Sequence, residues 1–434
     1  MNDWKNFFAD KKVTLMGLGL LGRGIGDARF LALCGARLLV TDLKSSTELG
    51  PSLKQLETFS NITYHLGEHK EEDFTNADMV IYAAGVPRNS PYLAAAQRSG
   101  VPVYMSTALF AKFAKDIGAT IVGVTGTRGK STTTQLIYHT LIQAALRDAS
   151  GREKNIFLGG TVRGISTLEL IPDVTQDDII VLELDSWLLQ GFGDLQLSPD
   201  VAVFTNLMPD HLNYYANEQE YFDDKANIFK YQAVPKIITG AAIAPRIPNA
   251  IVPAPLPEDW HLQILGEHNR ENASLAAEAL RVLGLNEEQI KAGLESFEAV
   301  EGRLQFVREV NGIKIYNDNN ATTPEATLAA LKSFSQPIIL IVGGADKHLP
   351  LEVLVVEMKK CKKVLLLAGT GTDRLKTSVP NTTIYRSISN AVNEALKVAQ
   401  PGDVILFSPG FASFGLFKNE YDRNDQFMAA VKNL

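Results

Sequence analysis

Hydrophobic and polar positions alternate along this chain in a pattern typical of α/β proteins. Apolar runs of strand length are followed by longer stretches with helical periodicity, and this order repeats through the 434 residues. The alternation favours parallel strands, because each helix carries the chain back to the edge where the next strand begins. The predicted strands cover residues 13–16, 38–41, 79–84, 101–104, 120–124, 179–184, 201–205, 306–308, 313–316, 338–342, 364–368 and 404–407.

The predicted elements fall into three successive blocks, each expected to build a mainly parallel sheet with flanking helices. Helices are predicted over residues 131–145 and 270–282. Another helix begins at Thr323-Pro-Glu325, where Thr suits the N-cap, Pro the first position and Glu the first turn. The proline-rich residues 245–257 are predicted to be irregular. A chain of this length also exceeds one ordinary core, so about two to four domains are expected.

Composition narrows the class of protein. Hydrophobic residues make up 45% and charged residues 21%, as in soluble globular proteins, and a net charge of −7 argues against a nucleic-acid-binding face. Residues 1–10 carry no signal-peptide pattern, and no apolar run has the length of a membrane span. Cys34 and Cys361 suit buried thiols in a reducing compartment. We therefore expect a soluble cytoplasmic protein.

A glycine-rich loop, Gly126-Thr-Arg-Gly-Lys-Ser131, lies between a predicted strand and a predicted helix. Backbone N–H groups of such a loop close around phosphate oxygens, and the helix N-terminus adds a favourable dipole. Lys130 would neutralise phosphate charge, and Ser131 would offer its hydroxyl to Mg²⁺. The loop is shorter than the usual phosphate-binding consensus, and a glycine turn without a ligand is the alternative. Its position between strand and helix favours nucleotide binding.

A second glycine motif lies near the N-terminus. Gly17, Gly19 and Gly22 follow the first predicted strand, and Asp42 lies twenty residues beyond Gly22. This arrangement is a dinucleotide fingerprint, which suits NAD or any nucleotide diphosphate laid on a helix N-terminus. A tight turn without a ligand remains the alternative.

Two candidate metal ligands follow strands of the second block. Glu183 belongs to the strand predicted at 179–184, and His211 follows the strand predicted at 201–205. Ligands bind at such strand ends in open parallel sheets, and a carboxylate there suits Mg²⁺. Either residue by itself would more often be structural, but two near one phosphate loop favour a metal site. Lys225, by contrast, has the pattern of a solvent-exposed helical lysine.

Three polar residues follow strands of the third block, namely Asp318, Lys347 and Ser413. They could converge on one edge of a sheet, because the carboxyl ends of parallel strands meet there. A cation with hydroxyl groups suits a substrate that carries a carboxylate. Ordinary loop polarity is the alternative for each residue.

Together these motifs make the chain resemble the Mur ligases, from Gly17 to about Phe427, and among them the members that add D-glutamate to UDP-N-acetylmuramoyl-L-alanine. The segments that carry the resemblance are Gly17-Leu-Gly-Leu-Leu-Gly22, Thr125-Gly-Thr-Arg-Gly-Lys-Ser131, Glu183-Leu-Asp-Ser186, Asp210-His211, Gly266-Glu-His-Asn-Arg-Glu-Asn272, Gly302-Arg303, Asn317-Asp318, Gly343-Gly344 with Lys347, and Ser408-Pro409 through Phe417-Lys-Asn419. The resemblance implies an ATP-dependent ligase of peptidoglycan precursor synthesis. It also implies three domains: a Rossmann-like UDP-binding domain (1–105), a central P-loop-type ATP-binding domain (106–301) and a Rossmann-like amino-acid-binding domain (302–434).

The resemblance further implies roles for individual residues in an enzyme expected to be a monomer that acts on small molecules. ATP is expected at Gly126, Thr127, Arg128, Gly129, Lys130, Ser131, Thr132, Asn269, Asn272, Arg303 and Asp318. The UDP-linked substrate is expected at Gly17, Gly19, Leu20, Leu21, Asp42, Gly85 and Thr161, and D-glutamate at Thr322, Lys347, Ser413 and Phe417. Mg²⁺, roughly two ions, is expected at Ser131, Glu183, His211 and Lys225, the last as a carbamylated lysine. Catalysis would rest on Lys130, Glu183, His211 and Lys225.

The chain departs from the family pattern at several positions. Arg128 replaces a usual Asn or His, Thr161 an Asn, Leu188 a Gln, Asn320 a Lys, Gly415 an Asp, and Glu420 an aromatic residue. The last two bear on amino-acid choice, so a Mur-type ligase for L-glutamate or L-alanine is an alternative. We expect Glu420 to point away from a bound glutamate, which its carboxylate would repel.

Two alternatives come from other classes. An NAD-dependent oxidoreductase would suit the N-terminal fingerprint but would leave the Lys130-Ser131 loop without a purpose. A non-catalytic ATP-binding regulator would not need the four residues expected to carry catalysis.

Overall fold

The computed structural model describes residues 3–20, 22–83, 85–162, 164–210, 214–376, 378–379 and 383–434. Within these ranges the strands form three sheets, and the fold is α/β as predicted. The chain divides into two compact units, Met1–Ala254 with Ser274–Ile290 and Pro255–Ala273 with Lys291–Leu434. Leu21 and His211, both predicted to bind ligands, lie outside the described residues. Of the helices in the described ranges, none has the length and apolar character needed to cross a membrane.

The first sheet belongs to the first unit and is parallel. Its strands are β1 (Lys12–Met16), β2 (Arg37–Asp42), β3 (Ile62–Leu66), β4 (Met79–Tyr82) and β5 (Val103–Met105), and its helices are α1 (Asp3–Phe8), α2 (Arg23–Leu33), α3 (Gly50–Lys54), α4 (Glu71–Thr75) and α5 (Pro91–Arg98). The strand order is β3-β2-β1-β4-β5, so the winding direction reverses between β1 and β4. Ligands bind at such a switch point, and the loops after β1 and β4 carry the first glycine motif and Gly85.

The second sheet, also parallel, completes the first unit. Its strands are β6 (Thr120–Thr125), β7 (Ile156–Gly160), β8 (Ile179–Glu183), β9 (Val201–Phe204) and β10 (Ile237–Thr239), and its helices are α6 (Ser106–Ile117), α7 (Lys130–Ala144), α8 (Ser186–Asp194) and α9 (Glu218–Ala226). Short 3₁₀ helices cover Leu168–Asp173 and Ala244–Arg246. Since the order is β10-β9-β6-β8-β7, the loop after β6 lies between the loops after β9 and β8.

The third sheet belongs to the second unit. Helices α10 (Glu267–Val282) and α11 (Glu287–Ser296), each with residues of both units, precede it in the chain. Its strands are β11 (Gln305–Val310), β12 (Ile313–Asn317), β13 (Ile338–Val342), β14 (Lys363–Leu367), β15 (Ile384–Tyr385) and β16 (Val404–Phe407), and its helices are α12 (Pro324–Leu331), α13 (Glu352–Met358), α14 (Thr370–Lys376), α15 (Ile388–Val398) and α16 (Glu420–Lys432). The order is β11-β12-β16-β13-β14-β15, with β11 antiparallel to β12 and the other pairs parallel.

Burial follows the pleat of the strands. In β13, Leu340 packs into one hydrophobic cluster and Ile339 and Ile341 into the other, so this sheet is covered on both faces. The two sheets of the first unit instead share one continuous core. Helix α2 is also tied to the segment after β7, because Asp27 accepts a hydrogen bond from Ser166 Oγ at 2.6 Å.

The observed elements correct the predictions in a consistent way. Four strands were missed, β3, β7, β10 and β15, and each lies at an edge of its sheet. Strands β3, β7 and β15 are partly exposed, and β10 is buried but only three residues long, so none of them leaves a strong apolar pattern in the sequence. The strand predicted at 101–104 is Val103–Met105. Thr323 does stand at the N-cap of α12, with Pro324 first, but its side chain makes no capping hydrogen bond.

The loop after β1 packs closely against the first turn of α2 at Gly24. A Cβ at Gly24 would lie 2.6 Å from the carbonyl oxygen of Gly17 and closer still to that of Leu18. Because these are backbone atoms that cannot give way, Gly24→Ala should lower the free energy of unfolding by about 1–3 kcal/mol. A Cβ at Gly50 would meet nothing within 4 Å, so Gly50→Ala is the matched control. Urea unfolding measures both variants, and equal losses would contradict the prediction.

Candidate active site

Three chain segments meet at the carboxyl edge of the second sheet. The phosphate-binding loop, residues 126–129, follows β6; Glu183 ends β8; and residues 205–210 follow β9. Because β6 pairs with both β8 and β9, this order brings the predicted nucleotide-binding loop next to a predicted metal ligand.

The phosphate-binding loop depends on glycine at two positions. Gly126 has a φ of +142°, and a Cβ there would collide with the hydroxyl of Thr205. Gly129 has a φ of +82° and is the N-cap of α7. These conformations are costly for other residues, and they let the loop run directly into the helix N-terminus, where backbone N–H groups are available for phosphate.

Asn206 holds the backbone of this loop. Its Oδ1 accepts a hydrogen bond from the Arg128 N–H at 2.9 Å, and its Nδ2 donates to the Arg128 carbonyl oxygen at 3.2 Å. Its own carbonyl oxygen accepts from the Thr127 N–H at 2.9 Å. No role for Asn206 is predicted from the sequence, although its position directly after β9 is a signal that could have indicated one.

Two side chains at the start of α7 contact other residues of the predicted nucleotide and metal site. Lys130 Nζ donates to the carbonyl oxygens of Gly126 and Thr127 at 3.0 and 3.1 Å. Ser131 Oγ donates to Glu183 Oε1 at 3.0 Å, so two predicted Mg²⁺ ligands are in direct contact. Thr132 is buried behind them. In the part of the chain that the structure describes, this site included, no group of three or more His, Cys, Asp or Glu side chains is placed to hold a metal ion.

Lys225 is buried, so the solvent-exposed position predicted for it from the sequence is wrong. The side chain is 1% exposed, and Nζ donates to the Gly126 carbonyl oxygen at 2.9 Å and to Thr125 Oγ1 at 3.4 Å. Nζ also lies 4.7 Å from the centre of the Tyr221 ring. Burial, with a further contribution from the charge of Lys130, holds the pKa of Lys225 well below the usual lysine value.

Arg128 turns away from the loop that carries it. Its Nη1 pairs with Asp210 Oδ2 at 3.0 Å, and Asp210 directly precedes His211 in the chain. The guanidinium thus links the phosphate-binding loop to the segment with the predicted histidine ligand. An ion pair this exposed contributes under about 1 kcal/mol by itself.

The first glycine motif is shaped by a buried carboxylate. Asp42 Oδ2 accepts hydrogen bonds from the N–H groups of Leu18 and Gly19, each at 2.9 Å, and Oδ1 accepts one from Lys44 N–H at 2.9 Å. Leu20 is exposed beside them. Asp42 therefore supports the shape of the loop that was predicted to hold the nucleotide diphosphate.

Thr161 lies between the first glycine motif and Glu183. Its N–H donates to the Glu183 carbonyl oxygen at 2.9 Å. Its own carbonyl oxygen accepts from Arg23 Nη2, at the start of α2, at 3.1 Å. This predicted substrate contact is thereby connected both to the first sheet and to a predicted metal ligand.

In the second unit, the loops after β12, β13 and β16 lie side by side, since these strands are neighbours. Lys347 Nζ donates to Thr322 Oγ1 at 3.1 Å. Ala345 and Ala412 exchange backbone hydrogen bonds at 2.9 and 3.1 Å. Ser413 and Phe417 are buried near this contact, so the residues predicted to bind the amino acid share one edge of the sheet.

Asp318 is buried in the same region. Its Oδ2 accepts from Ser408 Oγ at 2.7 Å and its Oδ1 from the Leu304 N–H at 3.1 Å. Desolvation raises the pKa of Asp318 to about 7, while the positive charge of Arg303 acts in the opposite direction. On α10, the predicted ATP contacts Asn269 and Asn272 are hydrogen-bonded to each other at 3.2 Å.

Comparison with known proteins establishes the family. Residues 11–105 match the Mur ligase MurD-like N-terminal domain, residues 124–244 the Mur ligase middle domain, and residues 302–411 the Mur ligase glutamate ligase domain. The chain is 35% identical to the UDP-N-acetylmuramoylalanine–D-glutamate ligase of Roseiflexus sp. (strain RS-1) over 474 residues, covering 98% of this chain and 99% of that protein. The chain belongs to the Mur ligase family. A ligase of the same name from Borreliella burgdorferi (strain ZS7) is 33% identical, with 97% of each chain covered.

Solved Mur ligases share the fold. The UDP-N-acetylmuramate-alanine ligase MurC from Thermotoga maritima matches with a TM-score of 0.63 at 17% identity, covering 98% of this chain and 99% of that one. The MurF ligase from Thermotoga maritima in complex with ADP matches with a TM-score of 0.60 at 18% identity, covering 91% and 95%. At these identities the likeness concerns the fold, and it confirms the predicted class of three α/β domains.

Burial of Asp318 generates a prediction about pH. Its pKa rises from 3.8 to about 7 on folding, so the folded protein holds a proton that the unfolded chain has lost in this range. The contribution of Asp318 to the free energy of unfolding should therefore fall as pH rises from about 4 to 7 and stay level on either side. Asp318→Asn removes this titration while keeping one oxygen acceptor. Between about pH 4 and 7, the free energy of unfolding of the variant, measured with urea, should rise by about 2–4 kcal/mol relative to that of the parent protein. A difference between the two proteins that does not change with pH would contradict the raised pKa of Asp318.

Proposed function

We propose that this Mur ligase is an ATP-dependent acid–amino-acid ligase that adds D-glutamate to UDP-N-acetylmuramoyl-L-alanine in peptidoglycan precursor synthesis. One observation carries the proposal: Ser131 contacts Glu183 beside Lys130, in a chain 35% identical over nearly its full length to a ligase of that name. An oxidoreductase would have no use for this arrangement.

ATP would lie on the phosphate-binding loop. Residues 126–132 would surround the phosphates, with N–H groups of the first turn of α7 and the ammonium of Lys130 facing them. The N–H groups of Thr127 and Arg128 are bonded to Asn206 and hold the shape of the loop instead. The ADP bound to the MurF ligase of related fold supports a nucleotide site in such a protein. Asn269, Asn272, Arg303 and Asp318 would contact the rest of the nucleotide, as the resemblance implies.

Magnesium fits the side chains at the end of β8. Ser131 Oγ and Glu183 Oε1, 3.0 Å apart, are the oxygen donors that Mg²⁺ prefers. His211 and carbamylated Lys225 would complete the ligand set. A bound Mg²⁺ would neutralise charge on the phosphoryl oxygens.

The other substrates would occupy the remaining loops. The UDP group would lie on the first glycine motif with Gly17, Gly19, Leu20, Leu21 and Gly85, whose shape Asp42 supports, and Thr161 would contact the rest of that substrate. D-Glutamate would lie at Thr322, Lys347, Ser413 and Phe417, where the ammonium of Lys347 suits a carboxylate. The domain boundaries expected from the resemblance, after residues 105 and 301, belong to the same proposal.

The reaction would proceed in two transfers. An oxygen of the L-alanyl carboxylate attacks the γ-phosphorus, the bond from that phosphorus to the bridging oxygen breaks, and ADP leaves. Lys130 neutralises charge in this step. The amine nitrogen of glutamate then attacks the acyl carbon and loses a proton, and the carbon–oxygen bond to phosphate breaks. The amide, ADP and phosphate are the products.

Carbamylation of Lys225 is a testable part of the proposal. A neutral amine attacks CO₂, forming an N–C bond and releasing a proton, and burial of Lys225 favours that neutral form. The carbamate keeps one N–H for the carbonyl oxygen of Gly126. With ¹³C-labelled bicarbonate, the protein should show a carbamate resonance that Lys225→Met abolishes and the exposed control Lys230→Met retains. A spectrum identical in all three proteins would count against the carbamate.

The function itself is tested by phosphate release from ATP and Mg²⁺ with UDP-N-acetylmuramoyl-L-alanine and a panel of amino acids. We expect release that depends on D-glutamate. Lys130→Ala should lower kcat by about 100-fold or more, because the loop loses its phosphate-facing cation. Lys112→Ala, which breaks an exposed ion pair with Asp116, is the matched control and should leave kcat unchanged. Phosphate release that depends instead on L-glutamate or L-alanine would identify the alternative ligase. If no amino acid gives phosphate release, the proposed ligase activity is wrong.

A further inference from the structure

Arg423, on α16, is the largest fully buried side chain among the described residues. A buried guanidinium is costly unless its N–H groups are paired. In the described part of the second unit no carboxylate forms an ion pair with it, and its acceptors are oxygens of uncharged groups. Burial lowers the pKa of Arg423 to about 10, and the charge of Glu420, one turn earlier, opposes that shift.

The guanidinium joins two loops at the carboxyl edge of the third sheet. Nε donates to Asn319 Oδ1 at 2.8 Å and Nη2 to the carbonyl oxygen of the same residue at 2.7 Å. Nη1 donates to the carbonyl oxygen of Phe411 at 3.0 Å. Asn319 lies in the loop after β12 that leads to Thr322, and Phe411 lies in the loop after β16 that leads to Ser413.

Other contacts extend this junction. Asn319 Nδ2 donates to the carbonyl oxygen of Glu420 at 3.0 Å and to Asn320 Oδ1 at 3.1 Å. The N–H of Gly410 donates to the carbonyl oxygen of Ala321 at 2.8 Å. Since the loop after β13 is paired to the loop after β16, all three loops are held in one arrangement around the buried guanidinium.

We propose that Arg423 is a positioning residue for the incoming amino acid. Its planar fork fixes the loop of Thr322 against the loop of Ser413, so that both side chains meet the same substrate. The inference rests on the proposed function, which puts the amino acid at these loops. Lysine cannot replace the fork, because a single ammonium does not present planar donors to acceptors on two loops at once.

The test compares Arg423→Lys with Arg308→Lys. Arg308 Nη1 also donates to a backbone carbonyl oxygen, that of Val431 at 3.2 Å, at the opposite end of α16. Arg423→Lys should raise the KM for D-glutamate by about tenfold or more, because small displacements of binding groups are costly. The KM values for ATP and UDP-N-acetylmuramoyl-L-alanine should change by less than about threefold, and Arg308→Lys should leave all three unchanged.

Several outcomes would overturn the proposal. They are an unchanged KM for D-glutamate, a parallel rise of all three KM values, or an equal effect of Arg308→Lys. If circular dichroism shows that Arg423→Lys is unfolded, Asn319→Ala is tested in its place. This variant removes the side-chain oxygen that accepts from Arg423 Nε and leaves the carbonyl oxygens of residue 319 and Phe411 as acceptors. A folded Asn319→Ala protein with an unchanged KM for D-glutamate would refute the inference. The parent protein is assayed in parallel, and its inactivity would count against the proposed function instead.

Discussion

The parallel pairing of β6 with β8 on one side and β9 on the other is the constraint on which the central site depends. Parallel strands end at the same edge, so this order places the phosphate-binding loop between Glu183 and the segment that begins at Thr205. The hydrogen bond of Ser131 to Glu183 and that of the Arg128 N–H to Asn206 both follow from this strand order. A different strand order would keep every motif in the chain and separate the groups that are proposed to act together.

In each of the three sheets a polar side chain, buried for Asp42 and Arg423 and half-buried for Asn206, bonds to the backbone of a loop that is predicted to bind a ligand. Asp42 accepts the N–H groups of the first glycine motif, Asn206 takes both backbone groups of Arg128, and Arg423 donates to carbonyl oxygens of two loops. These hydrogen bonds favour one conformation of each loop, most strongly for the buried Asp42 and Arg423, because an unpaired buried polar group is costly. A preformed loop spends less binding energy on ordering when its ligand arrives.

Burial also sets the charge states near the loops. Lys225 and Asp318 are both taken out of water, which favours the neutral amine in one case and the neutral carboxylic acid in the other. Groups with such shifted pKa values cluster at functional sites, because burying an ionisable group costs desolvation free energy that a structural role seldom requires. The neutral amine of Lys225 is also the form that reacts with CO₂, which connects its burial to the proposed metal site.

The sequence by itself determined the α/β class, the parallel sheets and the two glycine loops, because those follow from local periodicity and from residue types at short spacing. It also indicated Glu183, since a carboxylate at the end of an apolar strand is a local signal. The four edge strands that the sequence did not predict, β3, β7, β10 and β15, are either partly exposed or, like β10, only a few residues long, so their apolar patterns are weak. Only the tertiary structure decided that Lys225 is buried against Gly126, that Arg128 faces Asp210, and that Arg423 joins two loops. These contacts join residues far apart in the chain, so they depend on strand order and helix packing, which periodicity does not encode.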